Sequence, residues 1–419
     1  MISNLSHNKS QTTARDIRKA NRLQILHQLL LQKTSTRQEL SQLTGLSTAT
    51  IANLIGSMLE EGLVVETGME TPQIGRPIAI LALNAMGGVC VGVDVAETYI
   101  HYELYDLTLN NLCKYEIELP TLKKDPEEVV QLIVSGVYKL LAQAGIERDK
   151  VVGVGISIPG PFEHATGVSV FEPSWGWVNV PLQAMLEKEL NIPLYLDNPL
   201  KFNAIAEAWF GAGRKADTMA AVILGTGVGA GLVINGQLFH GSSNTAGEWG
   251  HTVVVTGGRT CRCGNRGCLE AYVGAPGIIQ TLLEIDKNSP LYFPDDQTRS
   301  IEAIASAAEK GDPSALAVVD QTAIYLSAGL GSLINFLNPE AVILGSWVAA
   351  LLGPIMSEKL FELIEKQSLE RPFKTARFVL SEMARNSVSL GAATLVLEEF
   401  LANDGKKSKW ISPKRGGIK

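Results

Sequence analysis

At 419 residues, 46% apolar and 19% charged, the chain has material for two or three domains with sizeable cores, and its composition excludes a disordered or low-complexity protein. No unbroken apolar run reaches the length of a membrane span, and residues 1–10 are polar, without the apolar core of a signal peptide, so a cytoplasmic protein is expected. The net charge of −7 is unevenly spread: residues 1–58 hold seven Lys and Arg against two acids, a basic head on an acidic body.

After a polar start, residues 16–32 place Ile17, Leu23, Ile25, Leu26, Leu29 and Leu30 at helical spacing. A second helix over 37–43 follows Ser35 and Thr36, which can cap it, and ends at Thr44-Gly45-Leu46, with Gly45 where a helix-turn-helix needs its turn. Ser47 caps a third helix reaching about residue 61, with Ile51, Leu54, Ile55, Met58 and Leu59 as its buried stripe. Its opposite face shows Ala49, Ala52 and Asn53, with Thr48 and Thr50 in the first turn, side chains small enough for a helix to sink into a major groove. Two strands, 62–66 and 78–83, around a loop carrying Arg76 complete a wing. Residues 14–85 are therefore expected to form a winged helix-turn-helix domain on double-stranded DNA. Ser47, Thr48, Thr50 and Asn53 would face the groove, and Arg15, Arg18, Arg22, Lys33, Arg37 and Arg76 the phosphates. A small helical dimerisation domain is the alternative for the same pattern.

The body, residues 86–402, alternates apolar strands (89–95, 99–105, 113–119, 151–158, 221–224 and 341–344) with amphipathic helices (126–145, 203–210, 323–337, 354–365 and 389–401), an α/β pattern. Its most informative stretch is Gly247-Glu248-Trp249-Gly250-His251 followed by Cys261-Arg262-Cys263-Gly264-Asn265-Arg266-Gly267-Cys268-Leu269-Glu270. Three cysteines spaced C-x-C-x4-C and a histidine ten residues upstream supply one nitrogen and three sulfurs, the donor set of a closed tetrahedral zinc site. Four protein ligands leave no position for water, so the zinc at His251, Cys261, Cys263 and Cys268 would be structural. Closing that loop brings Glu248 and Glu270 near one point, where paired acceptors suit sugar hydroxyls. The remaining cysteines, Cys90 and Cys113, are expected as buried thiols.

The pattern G-E-x-G-H followed by C-x-C-G-x-x-G-C-x-E resembles the signature of the ROK family (repressors, open reading frames and sugar kinases), and the resemblance extends over residues 88–402. It implies an actin-like, hexokinase-like two-lobed body, a first lobe over 86–200 and a second over 201–402, with a sugar in the cleft between them. It also implies that Glu248, His251 and Glu270 approach sugar hydroxyls, with Asn198 and Gly160 beside them and Ser174 in place of a family asparagine. The head resembles that of ROK repressors, Gly75-Arg76-Pro77 of the wing included; family kinases lack it.

Against the kinase pattern there are three departures. The phosphate-cradling turn D-x-G-G-T is here Asp94-Val95-Ala96-Glu97-Thr98, with a side chain where backbone must approach and a negative charge where polyphosphate lies. In the motif N-D-x-N-x-A-A-x-x-E, anchored on Asn198 and Glu207, the general base falls on Pro199 and the second asparagine on Lys201; Asp197 lies two residues early. The glycine pair beside adenosine becomes Ser346-Trp347. The turn at Gly225-Thr226-Gly227-Val228-Gly229 keeps the family's second phosphate loop. The expectation is a repressor that binds an operator as a homodimer or dimer of dimers and responds to a sugar or sugar phosphate. An active kinase with an accessory head, and a regulator answering to a protein partner, are the alternatives. The basic tail, 403–419, is expected to be disordered.

Overall fold

The computed structural model describes residues 14–71, 77–119, 124–383, 386–403 and 405–407. Arg76 and the tail from residue 408 therefore lie outside the described residues, as does the side chain of Arg15.

The head contains α1 (Ala14–Gln32), β1 (Thr34–Thr36), α2 (Arg37–Thr44), α3 (Thr48–Glu60), β2 (Val64–Glu70) and β3 (Ile78–Leu83). Thr36 and Glu39 form a reciprocal capping box at the start of α2, Gly45 closes it at φ 71°, and the Ser47 hydroxyl accepts the Thr50 N–H. Residues 34–36, too short to read as a strand, pair antiparallel with β3, so the sheet runs β1-β3-β2. Ile25, Leu26, Leu29, Leu40, Ile51, Ile55 and Met58 are buried together beneath it.

The first lobe runs through β4 (Val89–Val95), β5 (Tyr99–Asp106), β6 (Asn111–Glu118), α4 (Pro126–Ala144), β7 (Val151–Ser157), β8 (Phe162–Glu163), β9 (Val168–Glu172), β10 (Trp177–Val180), α5 (Leu182–Glu189) and β11 (Leu194–Asp197). Its main sheet has the order β11-β7-β4-β5-β6, parallel over the first three strands and antiparallel over the last three; β8, β9 and β10 form a small separate sheet. After α6 (Pro199–Trp209), the second lobe contains β12 (Met219–Leu224), β13 (Val228–Ile234), β14 (Gln237–Leu238), α7 (Glu270–Val273), α8 (Ala275–Ile285), α9 (Gln297–Glu309), α10 (Pro313–Leu337), β15 (Ala341–Gly345), α11 (Trp347–Gln367), α12 (Glu370–Thr375), β16 (Arg377–Leu380) and α13 (Ser387–Ala402). Its sheet runs β14-β13-β12-β15-β16.

Two helices join the sheets. The final helix, α13, lies on β4 and β7 of the first lobe: a Cβ at Gly92 would collide with the Ser389 carbonyl. α6 lies on β13 of the second, where a Cβ at Gly231 would strike the Leu200 carbonyl. Glycine is required at both strand positions because backbone meets backbone there. α6 and α13 also pack on each other, so the lobes share a helical seam.

Several boundaries differ from the sequence pattern. α6 begins at Pro199, four residues early, because Asn198 caps it and proline suits the first helical position. α11 begins at Trp347 and carries Pro354 in its interior, not at its start. Cys113 is only half-buried, whereas Cys90 is buried. α10 is long and apolar enough to cross a membrane by length and composition, although Asp320 interrupts its apolar run, and 61% of its most apolar window is buried in the second-lobe core.

Candidate effector cleft, metal cluster and head surface

The segment between β14 and α7 has little regular structure, so side-chain chemistry must hold it. Cys261 Sγ lies 3.6 Å from His251 Nδ1, Cys263 Sγ lies 3.8 Å from Cys268 Sγ, and all four donor atoms fall within 4.8 Å of one another. Bonds of about 2.0–2.3 Å around a tetrahedral ion imply donor edges of roughly 3.3–3.8 Å, which the 3.6 and 3.8 Å edges match, and no edge exceeds 4.8 Å. The His251 ring presents Nδ1 to the sulfurs and Nε2 towards Glu248, 3.9 Å away, so one imidazole borders both cluster and cleft.

A cavity of about 360 Å³ opens between the lobes. Its lining includes Gly160, Asn198, Glu248, His251 and Glu270, five of the six residues expected at the sugar; Ser174 lies outside it. Asn198 is 2% exposed; its Oδ1 accepts the Lys201 N–H at 3.2 Å while its Nδ2 has no partner. An unpaired buried amide donor beside a cavity is costly unless a ligand completes it. Gly160 takes φ 82°, and a Cβ there would meet the Phe171 carbonyl, so it shapes the cleft wall. Burial pushes the Glu248 carboxyl up, whereas Glu270 is held below the ordinary range because the Arg262 guanidinium outweighs burial. Ser174 donates to Glu97 at 3.0 Å and accepts from Arg262 at 3.3 Å. Trp175 and Trp177 are both buried and pack edge to face at 4.8 Å in the first-lobe core, not across the cleft.

The nucleotide side differs. Ala96, Glu97 and Thr98 turn between β4 and β5 at the cavity wall, and Trp347 lines the cavity opposite, close to Gly225. Ser346 adopts φ 79° and ψ 175°, a conformation that is nearly glycine's alone. Pro199 lines the cavity and Asp197 does not. Asp197 is buried, its Oδ2 2.9 Å from His164 Nε2 and its Oδ1 accepting the Asn198 N–H at 2.7 Å and Asn244 Nδ2 at 3.2 Å, with Lys201 Nζ at 3.5 Å. Burial raises this carboxyl, but Lys201 and His164 overcome it and hold it well below the usual range. A carboxylate so engaged is a poor proton acceptor. His164, Asp197 and His240 could together ligate a metal, yet the Lys201 ammonium already supplies the positive charge. The cluster instead links the lobes, since Asn244 Nδ2 donates to Asp197 and to the Phe162 carbonyl and lies 3.0 Å from His164 Nε2.

On the head, Ser47, Thr48 and Asn53 are exposed on α3 and Thr50 is half-buried. Arg37 is half-buried and pairs with Glu66 at 3.2 Å. Arg22 is a correction: it is 3% exposed and turned inward, bonded to Ser57 at 2.8 Å and to Glu61, so it ties α1 to α3 and offers no charge to a phosphate. Position 22 lies four and seven residues before Leu26 and Leu29, a sign that it shares their buried face. Arg262 was missed as a functional residue, and so were Lys201, His164 and Asn244. Arg262 reaches Glu97, and Asn244 reaches His164, across the chain, while Lys201 sits four residues from its partner Asp197, a spacing that by itself does not single out a buried pair.

A model of the ROK family matches residues 90–399. The xylose repressor of Caldicellulosiruptor bescii is 30% identical over 390 residues, covering 92% of this chain and 97% of that protein. The glucokinase of Halalkalibacterium halodurans is 34% identical over 316 residues, covering 74% of this chain and 95% of its own. A crystal structure described as a ROK family transcriptional regulator, homologue of the Escherichia coli Mlc protein, superposes with a TM-score of 0.77 at 26% identity, over 93% of this chain and 98% of that one. With the two-lobed body, the His/Cys3 cluster and the cleft already described, this similarity establishes that the chain belongs to the ROK family.

Proposed function

We propose that this protein is a sugar-responsive, DNA-binding transcriptional regulator, a repressor, whose kinase-like cleft senses a sugar without phosphorylating it. The observation that carries this is the cleft itself. Pro199 stands where a base is needed and Asp197 is withdrawn into an ionic network, while Asn198, Glu248, His251 and Glu270 still line a cavity with an unpaired donor. The extent of the similarities agrees: the repressor match covers 92% of the chain, too much to omit the head, whereas the glucokinase match covers 74%.

In this account residues 14–85 bind an operator through α3, with Ser47, Thr48, Thr50 and Asn53 at the groove and Arg37 and Arg76 at phosphates. A homodimer or dimer of dimers presents two heads to two half-sites. His251, Cys261, Cys263 and Cys268 hold a structural zinc that fixes the loop carrying Glu248 and Glu270. α6 offers a route from cleft to head: Asn198 caps it at the cavity, and Trp209 near its other end meets His27 of α1 edge on, 5.1 Å between ring centres. A sugar that prefers one lobe arrangement thereby biases head placement. Such a regulator works in the cytoplasm, beside the chromosome.

A thermal-shift panel of monosaccharides and sugar phosphates, each with and without ATP, tests the reading. Stabilisation by a sugar alone, with no ADP formed, is expected. A shift that requires nucleotide, or sugar-dependent ADP production, refutes it in favour of an active kinase.

A further inference from the structure

Arg262 is the only Lys or Arg among the described residues lining the cleft, where Asp94, Glu97, Glu172, Glu248 and Glu270 also stand. Its place in the second lobe is set by its neighbours Cys261 and Cys263, and its planar fork reaches across the gap. Nε donates to Glu270 Oε1 at 2.7 Å and Nη2 to Glu270 Oε2 at 3.1 Å, both within the second lobe. Nη1 donates to Glu97 and, at 3.3 Å, to the Ser174 hydroxyl, both in the first lobe. Ser174 completes the cluster by donating to Glu97 Oε2 at 3.0 Å.

We propose that Arg262 and Glu97 form a latch across the cleft, and that an uncharged monosaccharide releases it by taking over Glu270. The inference rests on the sugar-sensing reading above and adds the residue through which binding reaches the lobes, together with the ligand's charge class.

The competition follows from the bonds. Both Glu270 oxygens are engaged, Oε1 by Nε and Oε2 by Nη2 and the Val228 N–H at 3.0 Å. A sugar diol that reaches this carboxylate must displace the guanidinium from at least one oxygen. The fork is rigid, so turning it away from Glu270 also moves Nη1 relative to Glu97 and Ser174, and the interlobe bonds weaken as the sugar binds. The charge class follows from the same cluster. Arg262 is shared between two carboxylates, so a sugar phosphate could recruit it only by leaving Glu97 and Glu270 unpaired among three further acids. The Glu97 substitution that spoils the turn for polyphosphate thus has a use of its own: it supplies the first-lobe end of the latch.

The test is calorimetry on the zinc-loaded full chain, wild type, Glu97→Gln, Arg262→Lys and the double variant. The probes are D-xylose, D-glucose, N-acetyl-D-glucosamine, D-glucose 6-phosphate and N-acetyl-D-glucosamine 6-phosphate. Glu97→Gln keeps the shape of the side chain and should melt with the wild type. It is expected to bind the neutral sugar that the wild type prefers about two- to fivefold more tightly, the range for an exposed charge pair. Its affinity for a promoter fragment should fall by a similar factor, by linkage. Arg262→Lys should also tighten sugar binding, and Glu97→Gln should add little to it in the double variant. Normal sugar binding that is unchanged or weakened in Glu97→Gln overturns the latch and leaves the sensor intact. Tighter binding of a 6-phosphate than of its parent sugar overturns the charge class. Binding of no sugar by any variant overturns the sensing function and the latch with it.

Discussion

Acid should loosen the protein through one histidine at the joint between head and body. His27 of α1 is 6% exposed, its ring edge on to Trp209, and its Nε2 has no partner. Burial lowers its pKa from 6.5 to about 4. The sign is that of a histidine folded neutral: the contribution is complete above pH 6.5 and is lost as pH falls towards 4, because the unfolded chain accepts a proton that the folded one refuses. At pH 4.5 the loss amounts to roughly 2.5 kcal/mol for that displacement. His27→Phe keeps a ring against Trp209 and removes the proton. Urea unfolding at pH 7 and pH 4.5, followed by tryptophan fluorescence, should show the wild type losing about 2–3 kcal/mol more than the variant. Other titrating groups are common to both proteins and cancel in the difference. Equal pH dependence in the two proteins would mean that the imidazole is not held neutral, and that the joint is open to water.

Three further outcomes are expected. Arg22→Ala should cost about 2 kcal/mol of head stability by removing the bonds to Ser57 and Glu61, while the salt dependence of DNA binding by the folded fraction stays the same; a smaller salt slope with an unchanged melting point would return Arg22 to the phosphates. Cys263→Ser should lose bound zinc and sugar affinity together, as should chelation of the wild type, with loss of metal read by atomic absorption and sugar binding by calorimetry. Normal sugar binding without metal would separate the cluster from the cleft. Ser346→Gly should raise stability by about 0.5–1 kcal/mol, since φ 79° with ψ 175° strains serine, and thermal melts would register the gain or its absence.

The parts of this molecule that were legible in the sequence share one property: their determinants lie close together along the chain. The helix caps at Thr36 and Ser47, the continuous apolar runs of β4 and β7, and the C-x-C-x4-C spacing each state a local geometry. The small sheet β8-β9-β10 and the strand β1 went unread because each strand has only two to five residues, too few to show alternation. Pro354 pointed to a helix start because proline favours that position, but α11 carries it inside, with Val348, Ala349 and Leu352 before it packed in the core. In the cleft, residue types were legible and pairings were not. Arg262 and Glu97 are 165 positions apart, Asn244 and His164 are 80 apart, and only the fold brings each pair together. Arg22 shows the converse: its charge suggested DNA, while its spacing relative to Leu26 and Leu29 already placed it on the buried face.

The central claim is that a cleft stripped of phosphotransfer still controls a DNA-binding head. Fluorescence anisotropy of a labelled promoter fragment, titrated with the zinc-loaded protein at moderate salt and then with a neutral monosaccharide in the absence of nucleotide, tests it most directly. The account predicts a complex that forms through the head and is released by the sugar alone. A complex that persists with every sugar until ATP is added, or no complex with the fragment at low salt, would contradict it.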